Sequence, residues 1–280
     1  MADIFRFDGT RFVRVPGSLR QIAVGSSTAV WGVNDDSDIF KFNLNTGFFE
    51  QVPGKLQFVR VGQTGEVWGL NANSDIFQLN SSTGLFDQVP GKLHDIEVAA
   101  GGFAWGINAN SDIFIFENKI NKQIPGKLEI ISVGPHGNPW GINASSDIFR
   151  LNPDSFLFEQ VPGKLTTITV GDDAPLENFA QAWGLNVRPR NPGDLFTFHD
   201  IFRFDLASGL FEQVPGELMI IAASAEDIWG INAFHDVFRF DPQARNFQGA
   251  FEPVPGQQLD AIAVGINGVW GLSGSQPPPH

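Results

Sequence analysis

Side chains suited to recognition recur in a fixed order along this chain. Trp31, Trp68, Trp105, Trp140, Trp183, Trp229 and Trp270 each precede a glycine. An indole offers a broad flat face for stacking on a ligand, and it is equally the bulk that packs one structural unit on the next. Three residues after the tryptophan stand Asn34, Asn71, Asn108, Asn143, Asn186 and Asn232, with Ser273 in the last unit. A carboxamide supplies both donor and acceptor to a hydroxylated ligand, and it also closes tight turns. Lys55, Lys92, Lys127 and Lys164 follow a Pro-Gly, whereas Ser18, Glu217 and Gln257 take that place elsewhere. Variation on a repeating background is what individual binding sites require, although exposed lysine is also ordinary solvated surface.

Two places break the pattern in a chemically pointed way. Small polar pairs (Asp36-Ser37, Asn73-Ser74, Asn110-Ser111, Ser145-Ser146) precede an aspartate in four units, but Phe198-His199 and Phe234-His235 stand there in the next two. An exposed Phe beside a His gives a stacking surface and a titratable donor. The nearby Arg188 and Arg190 form a close arginine pair in an acidic chain. The spacing predicts a distinctive recognition site here; packing of the Phe residues over the inserted loop is the structural alternative.

Catalytic and metal chemistry find little support. There is no Gly-x-Ser-x-Gly elbow, no His-Glu-x-x-His and no phosphate-binding glycine loop with lysine. The absence of cysteine removes thiolate metal sites and thiol nucleophiles. His94, His136, His199, His235 and His280 lack the spacing of a ligand set, and Asp35, Asp36 and Asp38 supply oxygens without a complete calcium loop. The expectation is a binding protein rather than an enzyme, with no metal or cofactor.

The elements that hold these residues follow from three repeated anchors. Besides Trp-Gly, an Asp-Ile-Phe or Asp-Val-Phe begins at Asp3, Asp38, Asp75, Asp112, Asp147, Asp200 and Asp236. Pro-Gly begins at Pro16, Pro53, Pro90, Pro125, Pro162, Pro215 and Pro255. The anchors keep one cyclic order, so the chain reads as seven units with a period of roughly 40 residues, which belongs to propeller blades of four strands. In the second unit, alternation and turn residues place strands at 56–62, 66–71, 75–79 and 85–89, with Pro-Gly following the outermost strand and blunting its edge.

Residues 1–17 supply only a third and a fourth strand, and residues 259–272 only a first and a second. Joined, they complete one blade and close the ring. The prediction is an all-β, seven-bladed β-propeller of four-stranded antiparallel blades over residues 1–273, with a loose tail at 274–280.

The chain has 280 residues, long enough to bury a core without disulfides or metals. Its net charge of -13 disfavours nucleic acid and anionic membranes as partners. No stretch approaches the roughly 18 apolar residues of a membrane span, and the N-terminal segment lacks the apolar core of a secretory signal. No membrane insertion is expected, and the protein is expected to be cytoplasmic or released without a signal peptide.

The combination of Trp-Gly-x-Asn, Asp-Ile-Phe-Arg-Phe and Phe-Glu-Gln-Val-Pro-Gly-Lys-Leu closely resembles the tectonin repeat, over essentially the whole chain. The resemblance implies a β-propeller lectin that recognises cell-surface glycans, bacterial or O-methylated sugars among them, at sites between neighbouring blades, in defence or agglutination. On that basis the asparagines and lysines above, Trp31, Trp68, Trp105 and Trp140, and the group Arg188, Phe198, His199, Phe234 and His235 are the candidate sugar contacts. A protein-interaction scaffold is the alternative.

Overall fold

The computed structural model describes residues 1–117, 119–171, 182–188, 199–244 and 249–274. These form seven four-stranded antiparallel sheets, each a blade of a β-propeller. Blade 1 runs Gln21–Ser26, Ala29–Val33, Asp38–Asn43 and Phe48–Lys55 from the axis outward. Blades 2 to 6 repeat this order, their innermost strands being Phe58–Val61, Asp95–Val98, Ile130–Val133, Thr167–Val170 and Ile220–Ala223. Blade 7 is composite: Ala261–Gly265 and Gly268–Ser273 pair with Ala2–Phe7, and Phe12–Leu19 lies outermost. The closure predicted from the two ends is therefore present, with Ile4 opposite Leu272 and Arg6 opposite Trp270.

The Trp-Gly dipeptide explains how blades meet. Each tryptophan leaves one face of its sheet and packs on aromatic rings of the next blade. Trp183 lies 4.7 Å from Phe240 and 5.8 Å from Phe251, Trp270 lies 4.7 Å from Phe42, and Trp229 lies 4.9 Å from Phe7. The glycine, on the opposite face, leaves room for the leucine that leads into the same blade. A Cβ at Gly106 would stand 2.3 Å from Leu93 Cδ1. Large aromatic rings therefore fill one side of the second strand while the other side stays bare enough to accept Leu93.

Pro-Gly does not follow the outer strand as the sequence suggested. It sits inside it, as a bulge. Val89 pairs with Ile76 and Lys92 pairs with Asp75, so Pro90 and Gly91 are passed over. Gly91 holds φ at 120°, a conformation that L side chains rarely adopt, and this lets the strand resume pairing two residues later. The bulge brings the lysine back to the start of the third strand.

Alternation of strand direction sorts the connections onto two faces. The turns between second and third strands and the links between blades share what is here termed the upper face. The other two hairpins of each blade share the lower face. The innermost strands surround an axial cavity of about 460 Å³. Arg60 there bonds Glu97 at 2.9 Å and Asp95 at 3.3 Å, and burial pushes the Glu97 carboxyl up against the pull of Arg60.

Two outcomes test this account. Deleting residues 1–17 removes the outer half of blade 7 and is expected to lower the melting temperature of the whole ring; a truncated chain melting with the intact one would show that closure does not need it. Trp68→Ala is expected to cost about 3–5 kcal/mol in denaturant unfolding, because the cavity opens inside a blade interface.

Candidate functional site

The upper face begins with the turn Asn71-Ala72-Asn73-Ser74-Asp75. Asn71 Oδ1 accepts the backbone N–H groups of Asn73 and Asp75, each at 2.9 Å, while its Nδ2 donates to Asp75 Oδ2 at 3.0 Å. Ser74 adopts φ of 63°, the left-handed turn that a short polar side chain tolerates. Lys92, delivered by the bulge, places Nζ 2.7 Å from Asp75 Oδ1 and 2.7 Å from the Asn73 carbonyl. The same Asn-Asp-Lys arrangement occurs at Asn34, Asp38 and Lys55, at Asn108, Asp112 and Lys127, and at Asn143, Asp147 and Lys164. In all four, the lysine and then the asparagine hold the aspartate below its ordinary pKa of 3.8.

The other three blades keep the aspartate and change its partner. In blade 7, Arg14 reaches Asp3 at 2.8 Å. In blade 6, Gln258 donates to Asp236 at 3.1 Å and to the Phe234 carbonyl at 2.9 Å, reproducing both lysine contacts without a charge. In blade 5, Glu217 stands at the lysine position, and Arg188 spans it and Asp200, with Nη1 2.5 Å from Glu217 Oε1 and Nε 3.0 Å from Asp200 Oδ1. These two carboxylates raise the Arg188 pKa still further.

The boundary between blades 5 and 6 is also where a cleft opens. A cavity of about 430 Å³ has Arg188, Gln213 and Glu217 on its polar side and Ile201, Leu218, Phe238 and Phe251 on its apolar side. A smaller hollow of about 80 Å³ adjoins it across Leu218 and is bounded by His199, Met219, Asn232 and Phe234. Gln51 and Gln160 donate to the aspartate of their own blades at 3.0 and 3.3 Å. Gln88, Gln123 and Gln213, at the same register of blades 2, 3 and 5, make no such bond among the described residues. His199 Nδ1 is buried there without a hydrogen-bond partner, and burial lowers its pKa and favours the neutral ring. The boundary therefore combines an aromatic wall and the Gln213 carboxamide in the larger cavity with the His199 ring and Phe234 around the smaller hollow.

The tectonin domain matches residues 1–123 and 116–276. The chain belongs to the tectonin family. No curated protein matches it in sequence. In shape this tectonin is similar to Prp20p from Saccharomyces cerevisiae, described together with its binding to Gsp1p and histones: the TM-score is 0.72 at 7% identity, over 99% of this chain and 92% of that one. It is similar to YCF48 from Cyanidioschyzon merolae, with a TM-score of 0.62 at 13% identity over 98% and 97% of the two chains. YCF48 bound to D1 peptide gives 0.62 at 12% identity over 94% and 93%. At these identities the likeness is one of fold.

Within the tectonin ring the sequence-predicted contacts separate into two groups. Trp31, Trp68, Trp105 and Trp140 are 0–3% exposed, their indoles enclosed between blades, so they do not present a stacking face to a ligand. Asn34, Asn71, Asn108, Asn143 and Asn232 are tied into their own turns, and Lys55, Lys92, Lys127 and Lys164 into the aspartates. Asn186 instead pairs with Asp200 in the ladder. Arg188 lines the larger cavity, and His199 and Phe234 line the smaller hollow beside it. His235 turns to Asp260 at 2.8 Å, and Phe198 lies outside the described residues. Gln213, Met219, Phe238 and Phe251 were missed. The Lys-to-Glu change at Glu217 was the available signal.

Because the turn aspartates titrate lower in the folded protein than in the unfolded chain, their contribution to stability is complete above the unfolded value and is lost as pH falls through the folded one. Thermal melts are expected to show a steep loss of stability below about pH 4. Lys92→Met should lower the melting temperature at neutral pH and flatten that acid limb; an unchanged limb in a variant lacking several of these lysines would remove the ion pairs as its cause.

Proposed function

We propose that this tectonin is a multivalent glycan-binding protein whose principal site is the cleft between blades 5 and 6. The observation that carries the proposal is the meeting, at the boundary between blades 5 and 6, of the Phe238 and Phe251 wall and Gln213 with the adjoining hollow of His199, Met219 and Phe234. A sugar presents C–H faces and hydroxyls side by side, and an O-methyl group adds an apolar knob that the Phe234 and Met219 hollow fits. Arg188, held by two carboxylates, positions the polar side rather than meeting an anionic sugar alone. Repetition of the fold gives further boundaries at which weaker contacts add avidity, the physical basis of agglutination and of a defence role against surfaces that carry many copies of a glycan.

An interaction scaffold is the second reading. It is favoured by the likeness in fold to Prp20p, described with its binding to Gsp1p and histones, and to YCF48 bound to D1 peptide. A glycan array including O-methylated and bacterial sugars separates the two. Binding is expected on the array, and Phe234→Ala and Gln213→Ala should each weaken it about tenfold with an unchanged melting temperature. Silence across the array, or affinity indifferent to both substitutions, would leave the cleft without this role.

A further inference from the structure

The lower face carries a second pattern, independent of the glycan reading. The first residue of the outer strand, just past the hairpin tip, is large and apolar in five consecutive blades: Phe48, Leu85, Ile120, Leu157 and Leu210. They are 53, 48, 74, 46 and 46% exposed. Burial does not explain them, and neither does the ladder. Their cross-strand partners are Asn43, Asn80, Glu117, Asn152 and Asp205, so none has an apolar neighbour opposite. Leu44 and Leu206 add two more exposed side chains at the tips of blades 1 and 5.

The identity of the residue changes among Phe, Leu and Ile, and the turn letters change around it, yet the position stays large and apolar. Single exposed apolar residues are ordinary; the same register filled in five blades forms a fringe. Because the register is shared, the side chains occupy the same level of the ring. Five equivalent contacts at one level suit a partner that is laterally uniform. The fringe is an arc: blade 7 has the charged Arg11 at this register, and blade 6 has the buried Ala250.

Charge identifies the surface. The chain as a whole is at -13; the tips LNTGF (44–48), SSTGL (81–85), PDSFL (153–157) and LASGL (206–210) contain a single charged residue, Asp154, while Glu117 and Asp205 stand across the ladder from Ile120 and Leu210. At the remaining tip, Lys119 is neutralised by Asp87 at 2.8 Å. Leu and Phe flanked by Ser, Thr and Asn match a layer in which apolar groups lie just beneath neutral polar headgroups. An anionic layer would repel the acidic body, and a basic protein surface would find little at the tips to attract it.

We propose that the lower rim of blades 1 to 5 docks the ring onto an electrically neutral, zwitterionic lipid surface, the five tips entering the headgroup layer. The contact is peripheral, and among the described residues no helix is long and apolar enough to cross a membrane. The upper-face cleft then points away from the lipid, so the two readings stand or fall separately.

Flotation of the full chain with phosphatidylcholine vesicles tests the proposal. The protein is expected to float with them, little affected by salt, and less so when about a third of the lipid is phosphatidylglycerol. Phe48→Ser, Leu157→Ser and Leu210→Ser together should reduce partitioning roughly tenfold or more at an unchanged melting temperature. Phe234→Ser, on the other face, should leave flotation intact while weakening the array signal. If the triple variant melts early, Ile120→Ser alone, at the most exposed tip, is expected to lower partitioning about threefold. Absence of flotation by the unaltered chain, or equal flotation by folded tip variants, would overturn the proposal. So would a concentration-dependent dimer in ultracentrifugation that the tip substitutions abolish while no vesicle binding is seen, since the occupant would then be a second copy.

Discussion

The insertion of each tryptophan into the aromatic rings of the following blade is the contact on which the rest of the molecule depends. A four-stranded blade has two apolar faces and cannot cover either alone. Trp140 against Phe204, Trp183 against Phe240 and Trp270 against Phe42 bury those faces serially, so no blade is complete until its neighbour is present. The glycine beside each tryptophan follows from the same demand, since Leu93 and its counterparts need the opposite side of the strand. Trp229 reaches Phe7 and Phe12 by the same rule, which makes the composite blade an ordinary member of the ring.

With the interior settled by aromatic contacts, the upper face is settled by charge. Every blade sets an aspartate at the start of its third strand, and each receives a donor brought by whichever segment is available: lysine through the bulge in four blades, then Arg188, Gln258 and Arg14. These groups are exposed, so each contact is individually modest. Their consequence is positional. In blade 5, Arg188 satisfies the aspartate in place of a lysine, and the cleft lies at that boundary.

The seven blades and their closure were legible because the anchors Trp-Gly, Asp-Ile-Phe and Pro-Gly recur in an unbroken cyclic order. Cross-strand bonding was less so. Sequence spacing brings Asn71, Asp75 and Lys92 to one face, but it does not show that they satisfy one another rather than a ligand. The tryptophans illustrate the same difficulty, since an indole at a fixed register reads as platform or as wedge until its neighbour is known. Pro90-Gly91 looks like an edge-blunting device after the fourth strand because proline offers no amide to a neighbour, whereas the positive φ of Gly91 makes it a detour within the strand. Arg60 and Glu97 are 37 residues apart, one repeat, and their meeting in the axial channel becomes visible only when the blades are wound around a common centre.

The composite seventh blade imposes an order on biosynthesis. Ala2–Phe7 and Phe12–Leu19 are translated well before their partners in Ala261–Gly265 and Gly268–Ser273, which follow across nearly the whole ring. Until then, Phe7 and Phe12 wait for Trp229, and an open strand edge faces the surrounding solution. Pairing across nearly the full length of the chain is slow because the ends must first find one another. The growing ring is therefore an open horseshoe, with Phe42 and Phe49 of blade 1 likewise waiting for Trp270.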